Sequence, residues 1–320
     1  MKRKMTLLVM MFLLAASWCM GMPRAAFAAD APKKQYKFVF IVKSMQFPFF
    51  LNMIDGAEEA VKLLPNVSLK CIGPETPYSV EEQMQLMEQA ITDGVDAILI
   101  APADSKAIVP AIEKANKAGI LVATPNTKAY GGQILTWTGV DNYQVGFELG
   151  VALCETIKGK GNVLLIEGTP GNSTSEERVQ GYKDAFKKYP EIKLLDSQPA
   201  NFNREKGMQL MENWLQKYKK IDAVGSINKD MTMGAVEAAK LVGRDKEMVQ
   251  ITFDVDNDAL DALDNGSILL TGAQNERSQI ALAMSACYLA LNGYKVPPVQ
   301  YLPLSLVYKK DVPLYRTKSK

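Results

Sequence analysis

The feature that most constrains this chain is a repeated alternation of short, nearly continuous apolar runs with longer stretches of helical periodicity. YKFVFIV is followed by NMIDGAEEAVKLL, VSLKCI by VEEQMQLMEQAI, DAILIAP by IVPAIEKANKAG, and ILVAT closes the series. After LTWTGV it restarts with the helix FELGVALCETI and the strand NVLLIEG, then a helical stretch around Glu176 to Lys188, IKLLDSQ and KGMQLMENWLQKY. IDAVGSI, MGAVEAAKLV, MVQITF, a helical turn around Asp258 to Leu263, and SILLTGA complete it. Strands that are apolar on both sides need cover on both faces, and intervening helices supply the crossovers that parallel pairing requires. The pattern predicts an α/β protein of two doubly wound parallel-sheet units, each of domain size, with a boundary near Gly139. Gln279 to Leu291 adds an apolar helix, and YLPLSLVY a last extended piece.

The N-terminus has a different character. MKRK, an apolar run from Met5 to Met22, and Ala26-Phe27-Ala28 before Ala29 read as a secretory signal peptide over residues 1–28, with an uncleaved membrane anchor as the alternative. Lipid attachment at Cys19 is disfavoured by bulky Trp18, where a small residue is wanted. Removing the leader leaves 33 basic against 35 acidic side chains, so the basic surface that nucleic-acid binding requires is missing and no nucleic-acid partner is expected. The remaining cysteines, Cys71, Cys154 and Cys287, are odd in number and far apart, which suits buried small apolar residues better than a disulfide framework. The chain has no histidine, which removes the commonest general base and metal ligand. No catalytic residue, metal site or cofactor is therefore expected.

In open parallel sheets, ligands bind beyond the carboxyl ends of the strands. There the sequence places Lys43 and the phenylalanines Phe47, Phe49 and Phe50, then Asn126 and Thr127, and Asp141 beside Asn142. The second half contributes Arg178, Phe202, Asn228 beside Lys229, Phe253, Asp254 and Gln274. Amides and charged groups serve hydroxyls that both donate and accept, while ring faces cover C–H surfaces, so the mixture suits a sugar. Taken singly, an Asn or Asp after a strand is as often a helix cap, and a lone Phe is more often core. Phe47 precedes Pro48, which biases it to extended backbone and starts a helix. EGTPGNSTSEER lacks the spacing of phosphate-binding loops and reads as a capped loop.

The residues resemble a known family, the periplasmic sugar-binding proteins of bacterial ABC importers, of the ribose- and galactose-binding kind. The resemblance spans the mature chain and lies in PFF followed by DGAEEA, in APADSKAIVPAIEKANKAGI, GVDN, SEERVQGY, SQPANFNREKG and TFDVD. It implies the type I periplasmic binding protein fold, with two lobes joined by a three-stranded hinge: residues 29–139 plus 275–304, and 140–274 plus 305–320. It also implies sugar contacts at Arg178, Phe202, Asn228, Phe253 and Asp254, with Gln274 at a crossover and Phe49 and Phe50 in the first lobe. The first lobe departs from the ribose pattern. Phe47 stands for an asparagine, and Asn126-Thr127 for an Asp-Arg pair. Lys229 stands where an acidic residue is usual, and Lys43 with GPETPYS is similar to branches that bind rhamnose and related ligands.

The resulting expectation is a soluble, monomeric, non-enzymatic periplasmic protein. It captures a monosaccharide, polyol or deoxysugar, with Phe49 and Phe202 sandwiching the ring, and delivers it to an ABC permease. The alternative partner is a chemoreceptor or sensor kinase.

Overall fold

The computed structural model describes residues 34–316; the expected signal peptide, anchor and Cys19 lie outside them. Twelve strands form two six-stranded sheets among these residues. The first sheet holds β1 (Tyr36–Ile41), β2 (Val67–Ile72), β3 (Ala97–Ile100), β4 (Leu121–Pro125), β5 (Thr136–Gly139) and β11 (Val299–Tyr301), in the order β11-β5-β4-β3-β1-β2. The second holds β6 (Lys160–Glu167), β7 (Glu191–Pro199), β8 (Ala223–Ser226), β9 (Val249–Phe253), β10 (Leu270–Ala273) and β12 (Ser305–Tyr308), in the order β12-β10-β9-β8-β6-β7. Pairing is parallel throughout, except that β12 runs antiparallel to β10. YLPLSLVY is thus divided: β11 ends the first sheet and β12 edges the second, with Leu302 to Leu304 crossing between them.

Ten α-helices among the described residues cover the sheets: α1 (Pro48–Val61), α2 (Val80–Thr92), α3 (Val109–Lys117), α4 (Asn142–Thr156), α5 (Ser173–Lys187), α6 (Arg204–Lys217), α7 (Lys229–Leu241), α8 (Asn257–Asp264), α9 (Glu276–Leu291) and α10 (Val312–Tyr315). The first strand shows why the apolar runs are continuous. Phe38, Phe40 and Val42 pack under α1 and α9, whereas Val39 and Ile41 point the other way, into the core beneath α2 and α3. Alternate side chains leave a strand on opposite faces, so both sets must be apolar when both faces are covered. The second sheet has a main core around Leu164, Leu165, Tyr182, Phe186 and Trp214, with a smaller cluster under α8 and α10. Cys154 and Cys287 are buried, Cys71 is half-buried, and all three are free thiols.

Parallel strands put all their carboxyl ends on one side, so the loops after β1, β2, β4, β6, β7, β8, β9 and β10 converge. Several of these loops turn in a way side chains rarely allow. Tyr78 (φ 64°), Asn126 (φ 69°), Phe202 (φ 56°) and Asp254 (φ 80°) all adopt left-handed backbone. Asn and Asp tolerate this conformation, but for Tyr and Phe it costs about 1–3 kcal/mol each. Backbone bonds pin the turns: Tyr78 N–H donates to Lys43 C=O, Asn126 N–H to Thr138 C=O and Asp254 N–H to Gly272 C=O, each at 2.8 Å.

Candidate functional site

The converging loops form a pocket between the two sheets. Its second-sheet wall is polar, and its parts hold one another. Arg178 on α5 is buried, and its guanidinium donates from Nε to Asn142 Oδ1 (2.9 Å), from Nη1 to Ile227 C=O (2.9 Å) and from Nη2 to Gln274 Oε1 (3.1 Å). It lies 3.7 Å over the Phe253 ring centre. Helices α4 and α5 come close enough for the Asn142 bond because Gly146 has no side chain; a Cβ there would lie 2.0 Å from the Arg178 carbonyl oxygen. Asp254 accepts from Gln274 Nε2 and, at 3.2 Å, from Asn228 Nδ2. Gln274 also accepts from Asn126 Nδ2 (3.3 Å), tying the crossover to the first sheet. Three of the five guanidinium N–H groups are used internally, leaving two for a ligand.

The first-sheet wall is aromatic. Pro48 starts α1 as expected, with Phe47 extended before it, so that Phe47, Phe49 and Phe50 arrive at the pocket together. Phe49 and Phe50 meet edge to face, at 5.1 Å and 88°. Tyr78, in the loop after β2, lies 5.8 Å from Phe47 and 6.2 Å from Phe50, and stacks on Phe202 of the opposite wall at 5.5 Å and 9°. One face of Phe202 is thus occupied by the Tyr78 ring. The tip of the Phe202 ring fits against the chain only because residue 168 is glycine, where a Cβ would meet the ring at 2.4 Å.

Lys43 is the charged member of the aromatic wall. It is 2% exposed, and its ammonium donates to Thr127 Oγ1 and lies 5.8 Å and 5.9 Å from the Phe50 and Phe202 ring centres. Burial, helped by the Arg178 charge and opposed by Asp254, brings its pKa down to about 7. Burial likewise lowers Arg178 to about 10, against the pull of Asp254, so it stays cationic at neutral pH. Burial raises Asp254 to about 6, opposed by Arg178 and the Gln274 hydrogen bond.

Lys43, Phe47, Phe49, Phe50, Asn126, Arg178, Phe202, Asn228, Asp254 and Gln274 line the pocket, and three expected residues do not. Asp141 is exposed and caps α4, its carboxylate accepting from Gln144 N–H at 3.0 Å. Phe253 is fully buried behind Arg178, where its ring supports the guanidinium. Thr127 is also fully buried and links Lys43, Asn126 and Thr174 through its hydroxyl. Helix capping, core packing and hydrogen bonding to neighbours thus account for residue types that resemble contacts.

Three lining residues were not expected: Tyr78, Thr174 and Asp230. Tyr78 follows β2, a strand whose carboxyl end belongs in the same survey. Thr174 lies in the first turn of α5, which the capped-loop reading of EGTPGNSTSEER did not foresee, and Asp230 follows Asn228 and Lys229. Lys229 itself faces away from the pocket, its ammonium 2.7 Å from both Asp230 and Asp256. Burial acts to lower its pKa, but the two carboxylates outweigh that and hold it at about 12. Asp230 is therefore a second carboxylate in the pocket, neutralised from behind. Among the described residues no cluster of His, Cys, Asp or Glu is disposed to hold a metal ion, and no helix is long and apolar enough to cross a membrane.

Beside the pocket, EGTPGNSTSEER forms a polar seam between the sheets. Asn172 caps α5 with its oxygen and donates its amide to Ala103 C=O (3.0 Å) and Pro102 C=O (3.3 Å). Ser105 N–H donates to Gly171 C=O (3.1 Å), and Lys128 pairs with Glu177 at 2.8 Å.

Known proteins share this arrangement. Residues 38–295 match the periplasmic binding protein domain. The ribose import binding protein RbsB of Bacillus subtilis (strain 168) is 34% identical over 279 residues, covering 87% of this chain and 89% of its own. An ABC transporter periplasmic solute-binding protein from Actinobacillus succinogenes 130z, solved with bound D-allose, is 30% identical with a TM-score of 0.82, over 88% of this chain and all of the other. The fructose-binding periplasmic domain of a hybrid two-component system is 25% identical with a TM-score of 0.82, over 88% of this chain and 93% of its own. Strand order, cleft and sequence agree in one conclusion: the chain belongs to the periplasmic binding protein family.

Proposed function

We propose that the protein is a solute-binding component of an ABC importer, exported to the periplasm by its N-terminal signal peptide. As a monomer, it captures a monosaccharide, or a related polyol or deoxysugar, and delivers it to the permease. The observation that carries this reading is the pairing of Arg178 and Asp254, both held by neighbours with donors and acceptors to spare, with a wall of aromatic rings. Charge-assisted hydrogen bonds fix hydroxyls, and rings cover the C–H faces. The periplasmic binding relatives named for ribose and D-allose support the same class of ligand, and the family consists of binding proteins rather than enzymes.

In this reading the lobes are residues 29–139 plus 275–304 and 140–274 plus 305–320. Ligand contacts on both walls exist together only when the lobes are closed, so binding shifts the population toward closure. A thermal-shift and calorimetric screen of residues 29–320 against pentoses, hexoses, deoxysugars and polyols tests it. A ligand at a hundred times its dissociation constant adds about 2.7 kcal/mol of stability, and no shift with any of them would refute the reading.

The likeness to a fructose-binding domain of a two-component system favours one alternative partner, a chemoreceptor or sensor kinase that reads the closed form. Ligand-dependent stimulation of ATP hydrolysis by a reconstituted permease separates the two, since a dedicated sensor leaves it unchanged.

A further inference from the structure

We propose that Tyr78 is a specificity-determining residue, which fills the cleft over Phe202 and limits the ligand to a compact polyhydroxyl compound of four or five carbons. This rests on the sugar- or polyol-binding reading of the cleft. The Tyr78 ring lies parallel to Phe202 at 5.5 Å and against Phe47 and Phe50, so it belongs to the aromatic surfaces of both walls at once. A pyranose ring stacked on Phe202 would need the space this ring occupies.

The position of the ring is built into the backbone. Tyr78 has φ 64°, its N–H is bonded to Lys43 C=O at 2.8 Å, and the next residue, Ser79, caps α2 by accepting from Glu82 N–H. A bulky residue persists in left-handed backbone only where its surroundings over-determine it, and here the anchors lie on both sides of the tyrosine. These anchors fix the direction in which the side chain leaves the backbone, and contacts with Phe47, Phe50 and Phe202 hold the ring, so the tyrosine acts as a wall of the cleft. The hydrogen-bonding groups Arg178, Asp254 and Asn228 are on the opposite wall, and on this side Lys43 and Asn126 already donate to Thr127 and Gln274, so an additional carbinol group among the rings would lose its hydration.

The test uses sugar pairs that differ only by the exocyclic hydroxymethyl group: D-ribose and D-allose, D-xylose and D-glucose, D-lyxose and D-mannose, L-arabinose and D-galactose. Erythritol, ribitol and D-mannitol cover open-chain ligands. Tyr78→Gly removes the ring yet accepts left-handed backbone, Tyr78→Asn does the same with a second tolerant residue, and Tyr78→Phe keeps the ring. In calorimetric titrations, wild type should favour the smaller member of any pair or series it binds by at least tenfold. Tyr78→Phe should keep that ratio, and whichever of the Gly and Asn variants melts cooperatively should reduce it at least tenfold. Equal affinity for both members in wild type, or an unchanged ratio without the ring, overturns the role of Tyr78 while the sugar site stands. Binding of no member by wild type or variants overturns the sugar-site reading, and this inference with it.

Discussion

The two walls of the cleft are built on different principles. The wall from the second sheet is a closed polar circuit in which Arg178, Gln274, Asp254, Asn228 and Asn142 are hydrogen-bonded to one another. Each group is oriented before a ligand arrives, so few rotamers remain to be frozen on binding. The wall from the first sheet has one ammonium, on Lys43, and one amide, on Asn126, beside Phe47, Phe49, Phe50 and Tyr78, and its order comes mainly from ring packing and a left-handed turn. A preorganised polar wall discriminates by whether hydroxyls are matched, whereas an apolar wall discriminates by shape, and weakly for each methylene. The polar wall therefore holds the ligand and the aromatic wall sizes it.

The largest expected effect comes from breaking the polar circuit. Arg178→Ala should weaken ligand binding by about 2–5 kcal/mol, because it deletes a charged donor, leaves ligand hydroxyls unpaired and removes the positive charge that offsets the buried Asp254 carboxylate. It also leaves Asn142 Oδ1 and Ile227 C=O without their donor, so the ligand-free protein should lose about 1–3 kcal/mol. Calorimetry and thermal unfolding read the two losses separately. Affinity close to wild type would remove the polar wall from the binding site.

The polar wall is also where the sequence was most legible. Asn228 and Asp254 lie within two residues of a strand end and Arg178 on the helix that follows β6, and a parallel sheet brings strand ends and the first turns of the helices after them together. Asp141 and Phe253 have the same placement and chemistry yet do other work, since helix capping and core support look identical to ligand contact until neighbours are known. Tyr78 is the converse. It lies six residues beyond β2, and nothing in GPETPYS announces that the tyrosine takes left-handed backbone and swings its ring across the cleft. The two-sheet α/β fold was readable throughout because burial on both faces writes a continuous apolar signature. The division of YLPLSLVY between two sheets was not, since three-residue and four-residue strands carry no periodicity.

Lys43 sharpens the comparison, because it is the ionisable group set into the apolar wall. Its pKa is about 7 in the folded protein and near the ordinary lysine value, about 10.4, in the unfolded chain. Between these values the unfolded state binds the extra proton, so unfolding takes up a proton and stability rises with pH. The slope is at most about 1.4 kcal/mol per pH unit for one proton, so about 1 kcal/mol should be gained between pH 7.5 and 8.5. Asp254, raised to about 6, acts in the opposite sense from about pH 4 to 6, where the folded state holds the extra proton. Denaturant titrations of ligand-free wild type and Lys43→Met across pH 7 to 9 check this. The substitution should remove the rise, and a rise that persists would assign it to another group.

The smallest effect tests whether the aromatic wall can be made to behave like the polar one. Phe47 lines the pocket, packs on Tyr78 and has extended backbone just before the helix, so an asparagine there fits the same conformation and presents an amide to the cleft. A buried hydroxyl without a partner costs about 1–3 kcal/mol, and a new amide recovers a fraction of that. Phe47→Asn should therefore shift the affinity ratio of a matched hydroxylated and deoxy sugar toward the hydroxylated member by about 1 kcal/mol. If Phe47 serves only to fasten α1 to its strand, the substitution lowers stability and leaves the ratio unchanged. The two outcomes are separable because a packing defect weakens both sugars alike, whereas a new hydrogen bond acts only on the ligand with a hydroxyl to receive it. Calorimetric titration of both proteins with both sugars measures the ratio, and an unchanged value would place ligand selection on this wall in the Tyr78 turn and remove Phe47 from it.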